Sequence, residues 1–99
     1  MTIIEKYLSP IQDLCTQYHV ESLYVFGSSL TDNFTDSSDI DFIVTFKDIP
    51  LLEYADNYFD FKFALNDLLG REIDLIEENT IINPFFEKVI NNTKEVVYG

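Results

Sequence analysis

An α/β (α+β) fold, one sheet packed by helices, is what this chain predicts, and three observations predict it. Apolar residues recur at helical spacing near the start, in the middle and near the end of the chain. Between these stretches lie three short segments that alternate apolar and polar or run apolar without a break. The two kinds of segment interleave along the chain. The length, 99 residues, suits a single domain spanning residues 1–99. With 46% hydrophobic residues, nine Phe and six Tyr, there is ample material for a core.

Ile3, Ile4, Tyr7, Leu8, Ile11, Leu14, Cys15 and Tyr18 keep helical spacing. Thr2 to Glu5 reads as a capping box, and Ser9-Pro10 as a restart with Ser9 as N-cap, so one kinked helix or two short ones are expected. Ser22 to Phe26 reads as a buried strand stopped by Gly27. A short helix is expected from Ser28, and a loop from Asp32 to Ser38. Asp39 to Phe46 alternates, with Ile40, Phe42, Val44 and Phe46 on one face and Asp39, Asp41, Ile43 and Thr45 on the other. After the turn at Asp48-Ile49-Pro50, Leu51 to Leu69 reads as a long helix. Its expected apolar side is Leu51, Leu52, Ala55, Tyr58, Phe59, Leu65, Leu68 and Leu69, and Gly70 is its left-handed cap. Arg71 to Glu77 is a third strand, with Ile73 and Leu75 facing one way and Glu72, Asp74 and Ile76 the other. Asn83-Pro84 opens a last helix through Phe85, Phe86, Val89 and Ile90. The end, Glu95 to Gly99, has no clear pattern. Sequence alone leaves the relative direction of the first two strands open.

Charge narrows the function. Eighteen acidic residues against six basic ones give a formal net charge of −12. Nucleic acid is a poor direct partner for such a chain, because phosphate contacts need Lys and Arg. A basic protein or bound cations would suit it. The single Cys15 excludes an internal disulfide and a four-cysteine zinc site. Cys15 and His19 are four residues apart and would adjoin on a helix, but Cys15 falls on the apolar stripe and reads as core. Glu5 and Lys6 break any opening apolar run, and no run approaches membrane-spanning length. A soluble, cytoplasmic protein without a membrane partner is expected.

The chemistry concentrates in "FGSSLTDNFTDSSDIDFIV", residues Phe26 to Val44. Asp39 and Asp41 leave one face of a strand with Cα atoms about 6–7 Å apart. Like charges that close repel unless a cation bridges them, and Mg²⁺ takes carboxylates together with substrate phosphates. Two Mg²⁺ ions, with Mn²⁺ as a substitute, can hold the attacking and leaving oxygens of a phosphoryl-type transfer. Asp74 is the best third carboxylate. Gly27 ends a strand where a helix begins, so free backbone N–H groups can meet an anion, and Ser28 and Ser29 add hydroxyl donors. The alternative for the aspartates is structural: Asp39 as a turn cap and Asp41 at a solvated sheet edge. An EF-hand loop begun at Asp32 fails, with Ser37 where glycine belongs and Ile43 where the bidentate Glu belongs.

Gly27-Ser28, ten residues, then Asp39-Ile40-Asp41 resembles the signature of the DNA polymerase β-like nucleotidyltransferase superfamily. The chain's size resembles its minimal (MNT) branch, the antitoxin half of HEPN–MNT toxin–antitoxin pairs. "REIDLIEEN", with Asp74, and "NPFFEKVINN" extend the resemblance over nearly the whole chain. It implies a mixed sheet flanked by helices. It implies Asp39, Asp41 and Asp74 as catalytic and metal-binding residues, and Gly27, Ser28 and Ser29 as nucleotide-binding ones. It also implies transfer of a nucleoside monophosphate, AMP from ATP, onto a hydroxyl, in the antitoxins a tyrosine of the HEPN partner. No Lys or Arg stands between Gly27 and Asp41, so metal, backbone and hydroxyls would meet the triphosphate, with Lys62 or Arg71 as the cations from elsewhere. A second reading is a binding module of the same fold, weak or inactive in catalysis, that neutralises a basic partner through its acidic surface.

Overall fold

The computed structural model describes residues 3–26 and 40–99. Thr2, the helix expected from Ser28, the loop from Asp32 to Ser38, and Gly27, Ser28, Ser29 and Asp39 lie outside the described residues. The elements are α1 (Ile3–Lys6), α2 (Leu8–Gln17), β1 (Val20–Phe26), β2 (Ile40–Phe46), α3 (Leu51–Leu69), β3 (Ile73–Glu77), a 3-10 turn (Glu78–Thr80), α4 (Pro84–Thr93) and β4 (Glu95–Tyr98).

The first helical stretch is two helices, and the break falls at Tyr7 rather than at Ser9. Tyr7 is the N-cap of α2, which puts Pro10 in the first helical turn. A missing N–H is harmless there, because the first turn has no intrahelical acceptor for it. The Tyr7 carbonyl accepts from Ile11 N at 3.0 Å. His19, with φ of 60°, turns the chain from α2 into β1; the left-handed region is one that His enters more readily than most residues.

The sheet is mixed, in the order β3-β2-β1-β4. β1 runs antiparallel to β2 and to β4, while β2 and β3 are parallel, joined by the α3 crossover. Parallel neighbours need such a crossover, and the 19-residue α3 supplies it. β4 is the element the sequence did not disclose. Four residues, Glu-Val-Val-Tyr, become a strand because β1 offers them a free edge.

Helices α1, α2 and α3 cover one face. Ile40, Phe42 and Val44 of β2, Leu23 and Val25 of β1, Ile73 and Leu75 of β3 and Val97 of β4 meet Ile4, Ile11, Cys15, Phe61, Leu65 and Leu69 there. The ring of Phe46 packs on Tyr54, Tyr58 and Phe61 at 5.6, 6.4 and 5.9 Å. Hydrogen bonds tie the layers: the Tyr58 hydroxyl donates to the Leu75 carbonyl, Asn57 Nδ2 to the Tyr18 carbonyl at 2.7 Å, and Gln12 Nε2 to the Val97 carbonyl at 3.1 Å. The side of α3 that reaches the core is therefore Tyr54, Tyr58, Phe61, Leu65, Leu68 and Leu69. Leu51, Leu52, Ala55 and Phe59, expected on it, are exposed. With two apolar stripes on one helix, only the sheet beneath decides which is buried. Gly70 ends α3 with φ of 68°, and its N–H donates to the Asn66 carbonyl at 2.9 Å.

On the other face α4 lies across the sheet, with the Asn83 side chain accepting from Phe85 N and Phe86 N at 2.9 and 3.3 Å. Ile90 is its one buried residue and lines a small cavity with Ile43. Phe86 meets Phe26 edge-on at 6.3 Å, and Lys94 sits 4.2 Å over the Tyr24 ring and 3.7 Å from the Glu78 carboxylate. No described helix is long and apolar enough to cross a membrane.

Candidate active site

The site begins with the register of β2 on β3. Asp41 is the direct partner of Asp74, as Ile40 is of Ile73 and Phe42 of Leu75. Residues paired across neighbouring strands share a face, and alternation sets that face. Ile40, Phe42, Ile73 and Leu75 all enter the core under α2 and α3, so Asp41 and Asp74 both stand on the side of α4. Neighbouring strands lie about 4.8 Å apart. Two carboxylates thus occupy adjacent positions at the N-terminal ends of two parallel strands, Asp41 half-buried and Asp74 exposed.

On the other flank of β2, Asp41 pairs with Phe26, the last residue of β1. The row across the sheet is then Phe26, Asp41, Asp74, with Phe86 of α4 against the Phe26 ring. This aromatic wall was not identified from sequence. Phe26 read only as the end of a strand and Phe86 only as part of a helix, and their meeting depends on how α4 crosses the sheet. The next row is Tyr24, Ile43 and Ile76, closed over by Ile90. Beyond it Thr45 Oγ1 donates to the Glu78 carboxylate at 2.7 Å.

Among the described residues no group of three carboxylate, His or Cys side chains comes together as a metal site. Asp41 and Asp74 form a pair, and the remaining candidates, Asp39, Gly27, Ser28 and Ser29, fall in the segment that is not described. As a donor set, two adjacent carboxylates on neighbouring strands fit a hard divalent cation, which takes oxygen ligands and offsets their mutual repulsion. Of the two cations proposed for the triphosphate, Lys62 is misplaced. It belongs to α3, on the far side of the sheet from both aspartates. Arg71 stands three residues before Asp74, at the same end of β3.

The charge of Asp74 reaches Tyr58 on the other side of the sheet. Tyr58 has its hydroxyl pKa raised, first by burial and then by the Glu77 and Asp74 carboxylates. Tyr54 is pushed up to about 12, again chiefly by burial, and then by its hydrogen bond to Glu77. Cys15 is fully buried, its thiol pushed up to about 12 by desolvation, while His19 is exposed; the pair is no nucleophile and base.

The family described as polymerase beta, nucleotidyltransferase matches residues 9–99 of the chain. A Methanocaldococcus jannaschii protein named as a protein adenylyltransferase is 33% identical, the match covering 94% of this chain and 98% of that one. A solved minimal nucleotidyltransferase shares the fold with a TM-score of 0.76 at 23% identity, covering 96% of this chain and 95% of that one. A chain of the solved complex between a tri-AMPylated Shewanella oneidensis HEPN toxin and an MNT antitoxin shares it with a TM-score of 0.65 at 17% identity. That match covers 96% of this chain and 71% of the other.

Proposed function

Because the chain belongs to the polymerase beta nucleotidyltransferase family and is a minimal domain of it, a nucleotidyltransferase, we propose that it transfers AMP from ATP to a tyrosine hydroxyl of a HEPN-family toxin, the tyrosine oxygen bonding to the α-phosphorus as the bond to the β-phosphate breaks and pyrophosphate leaves, and so acts as an antitoxin. The observation that carries the reading is the Asp41–Asp74 register, which sets two carboxylates side by side on the face away from the core. The names of the adenylyltransferase relative and of the AMPylated toxin complex support AMP as the group and a HEPN protein as the acceptor.

In this reading Asp39, Asp41 and Asp74 hold divalent metal, Mg²⁺ by donor hardness, with two ions and Mn²⁺ as a substitute. A divalent metal held there would supply charge neutralisation for the triphosphate and Lewis-acid polarisation. Gly27, Ser28 and Ser29 bind the phosphates through backbone N–H and hydroxyl groups. Asp74, the more exposed of the described pair, orients the acceptor hydroxyl and draws off its proton. Arg71 is the candidate cation for the triphosphate. The residues thus act by positioning and charge compensation, the usual contribution of protein to such transfers.

The test is incubation of the purified chain with ATP, Mg²⁺ and a purified HEPN partner, read by intact mass spectrometry for added AMP. Modification by wild type and none by Asp41→Asn is expected. An unmodified toxin that is nevertheless silenced would overturn the transfer and favour the binding module, for which the net charge of −12 speaks.

A further inference from the structure

We propose that the outer side of α3 is a docking surface for a basic amphipathic helix of a partner protein. This goes beyond the transfer reaction and does not rest on it, since α3 and the Asp41–Asp74 pair lie on opposite sides of the sheet.

Three observations carry the proposal. Leu52, Phe59 and Phe63 are 95%, 49% and 57% exposed, although α3 already buries a full stripe on its inner side. Their spacing, i, i+7 and i+11, aligns them along the helix over about 17 Å, and the Phe59 and Phe63 rings stack at 6.3 Å. A straight apolar stripe of this period is complementary to another helix rather than to an extended strand. Second, Glu53, Asp56, Asp60 and Asp67 fall together along one flank of that stripe at helical spacing, and none forms an ion pair or side-chain hydrogen bond among the described residues. Third, Glu53, Asp56 and Asp60 also line a shallow groove with His19, Ile49 and Asn57, so Lys or Arg side chains beside the docked stripe have a recess to enter. A second copy of this chain is the poorer occupant, because it would bring another −12 charge to a face already acidic.

The probe is a synthetic peptide of about 18 residues, long enough to span the stripe as a helix, with Leu along one face and Lys and Arg on the others. Controls are a scrambled peptide of identical composition and the same Leu face flanked by Glu. Fluorescence anisotropy gives affinity, and amide NMR shifts give the contact surface. The expected result is binding of the basic amphipathic peptide alone, with shifts centred on α3 from Leu52 to Phe63. Phe59→Ser with Phe63→Ser should weaken it about tenfold or more, as should Asp56→Lys with Asp60→Lys. Glu21→Lys with Glu95→Lys, on exposed positions away from α3, should change affinity little. All replaced side chains are exposed, and circular dichroism confirms folding. Equal binding of the scrambled peptide, or insensitivity to the two Phe replacements, would overturn the proposal. So would sedimentation showing a wild-type dimer that the Phe replacements make monomeric, which would make a second copy the occupant.

Discussion

On the face of the sheet beneath α2 and α3, every inward position of β2 and β3 from Ile40 to Val44 and from Ile73 to Leu75 is apolar, and α3 is tied down through Tyr54, Tyr58 and Asn57. On the face beneath α4, the corresponding positions are Asp41, Ile43, Asp74 and Ile76, and α4 buries only Ile90 while Phe85, Phe86 and Val89 stay exposed. The same two strands serve both faces. Alternation lets one half of their residues hold the fold while the other half holds acids that a core could not accept unpaired. The contrast teaches that the apolar core and the candidate chemistry are separated here by the sheet, not by position along the chain.

Replacing Asp41 by Asn should show that separation most sharply. AMP transfer is expected to fall at least about 10³-fold, some 4 kcal/mol of barrier. Stability of the metal-free protein should shift by no more than about 1 kcal/mol, because relief of the like-charge repulsion with Asp74 offsets what Asp41's own contacts contribute. A urea melt beside the transfer assay checks both, and a strong destabilisation would erase the contrast between the faces. Asp74→Asn should cost rate more than nucleotide affinity, as compared by turnover and calorimetry.

Phe61→Ala is the converse. Phe61 is fully buried against Tyr18 and Phe46, and its loss should cost about 3–5 kcal/mol in chemical denaturation. Whatever fraction stays folded should keep its nucleotide affinity. On the lighter face, Asn83→Ala removes the cap of α4 and should cost only about 1 kcal/mol, with faster amide exchange confined to α4.

A last effect concerns pH. The Tyr54 pKa is raised from 10.0 to about 12 in the folded chain, so its contribution is complete below about pH 10 and is lost as pH climbs toward 12. Tyr54→Phe should flatten that alkaline limb of stability. An unchanged limb would assign it to Cys15 and Tyr58, whose pKa values are raised as well.

The sequence by itself determined the alternation of β2, the pairing of Ile73 with Leu75 as inward residues, the cap at Asn83 and the left-handed Gly70. Each is written in a local period or in a residue whose backbone chemistry has few alternatives. It also marked Asp41 and Asp74 as candidates, since an acid within an apolar strand is costly to keep unless a partner or a ligand compensates its charge. Tertiary structure alone decided the rest. Four residues at the chain's end become β4 only beside β1, because an edge strand draws its hydrogen bonds from a distant partner. Which of α3's two apolar stripes is buried depends on the sheet beneath it, so Phe61 entered the core while Leu52 and Phe59 stayed outside. That same packing carried Lys62 to the far side of the sheet. And Asp41 meets Asp74 because β2 and β3 are parallel and in register, a relation that 33 residues of separation in the chain cannot express.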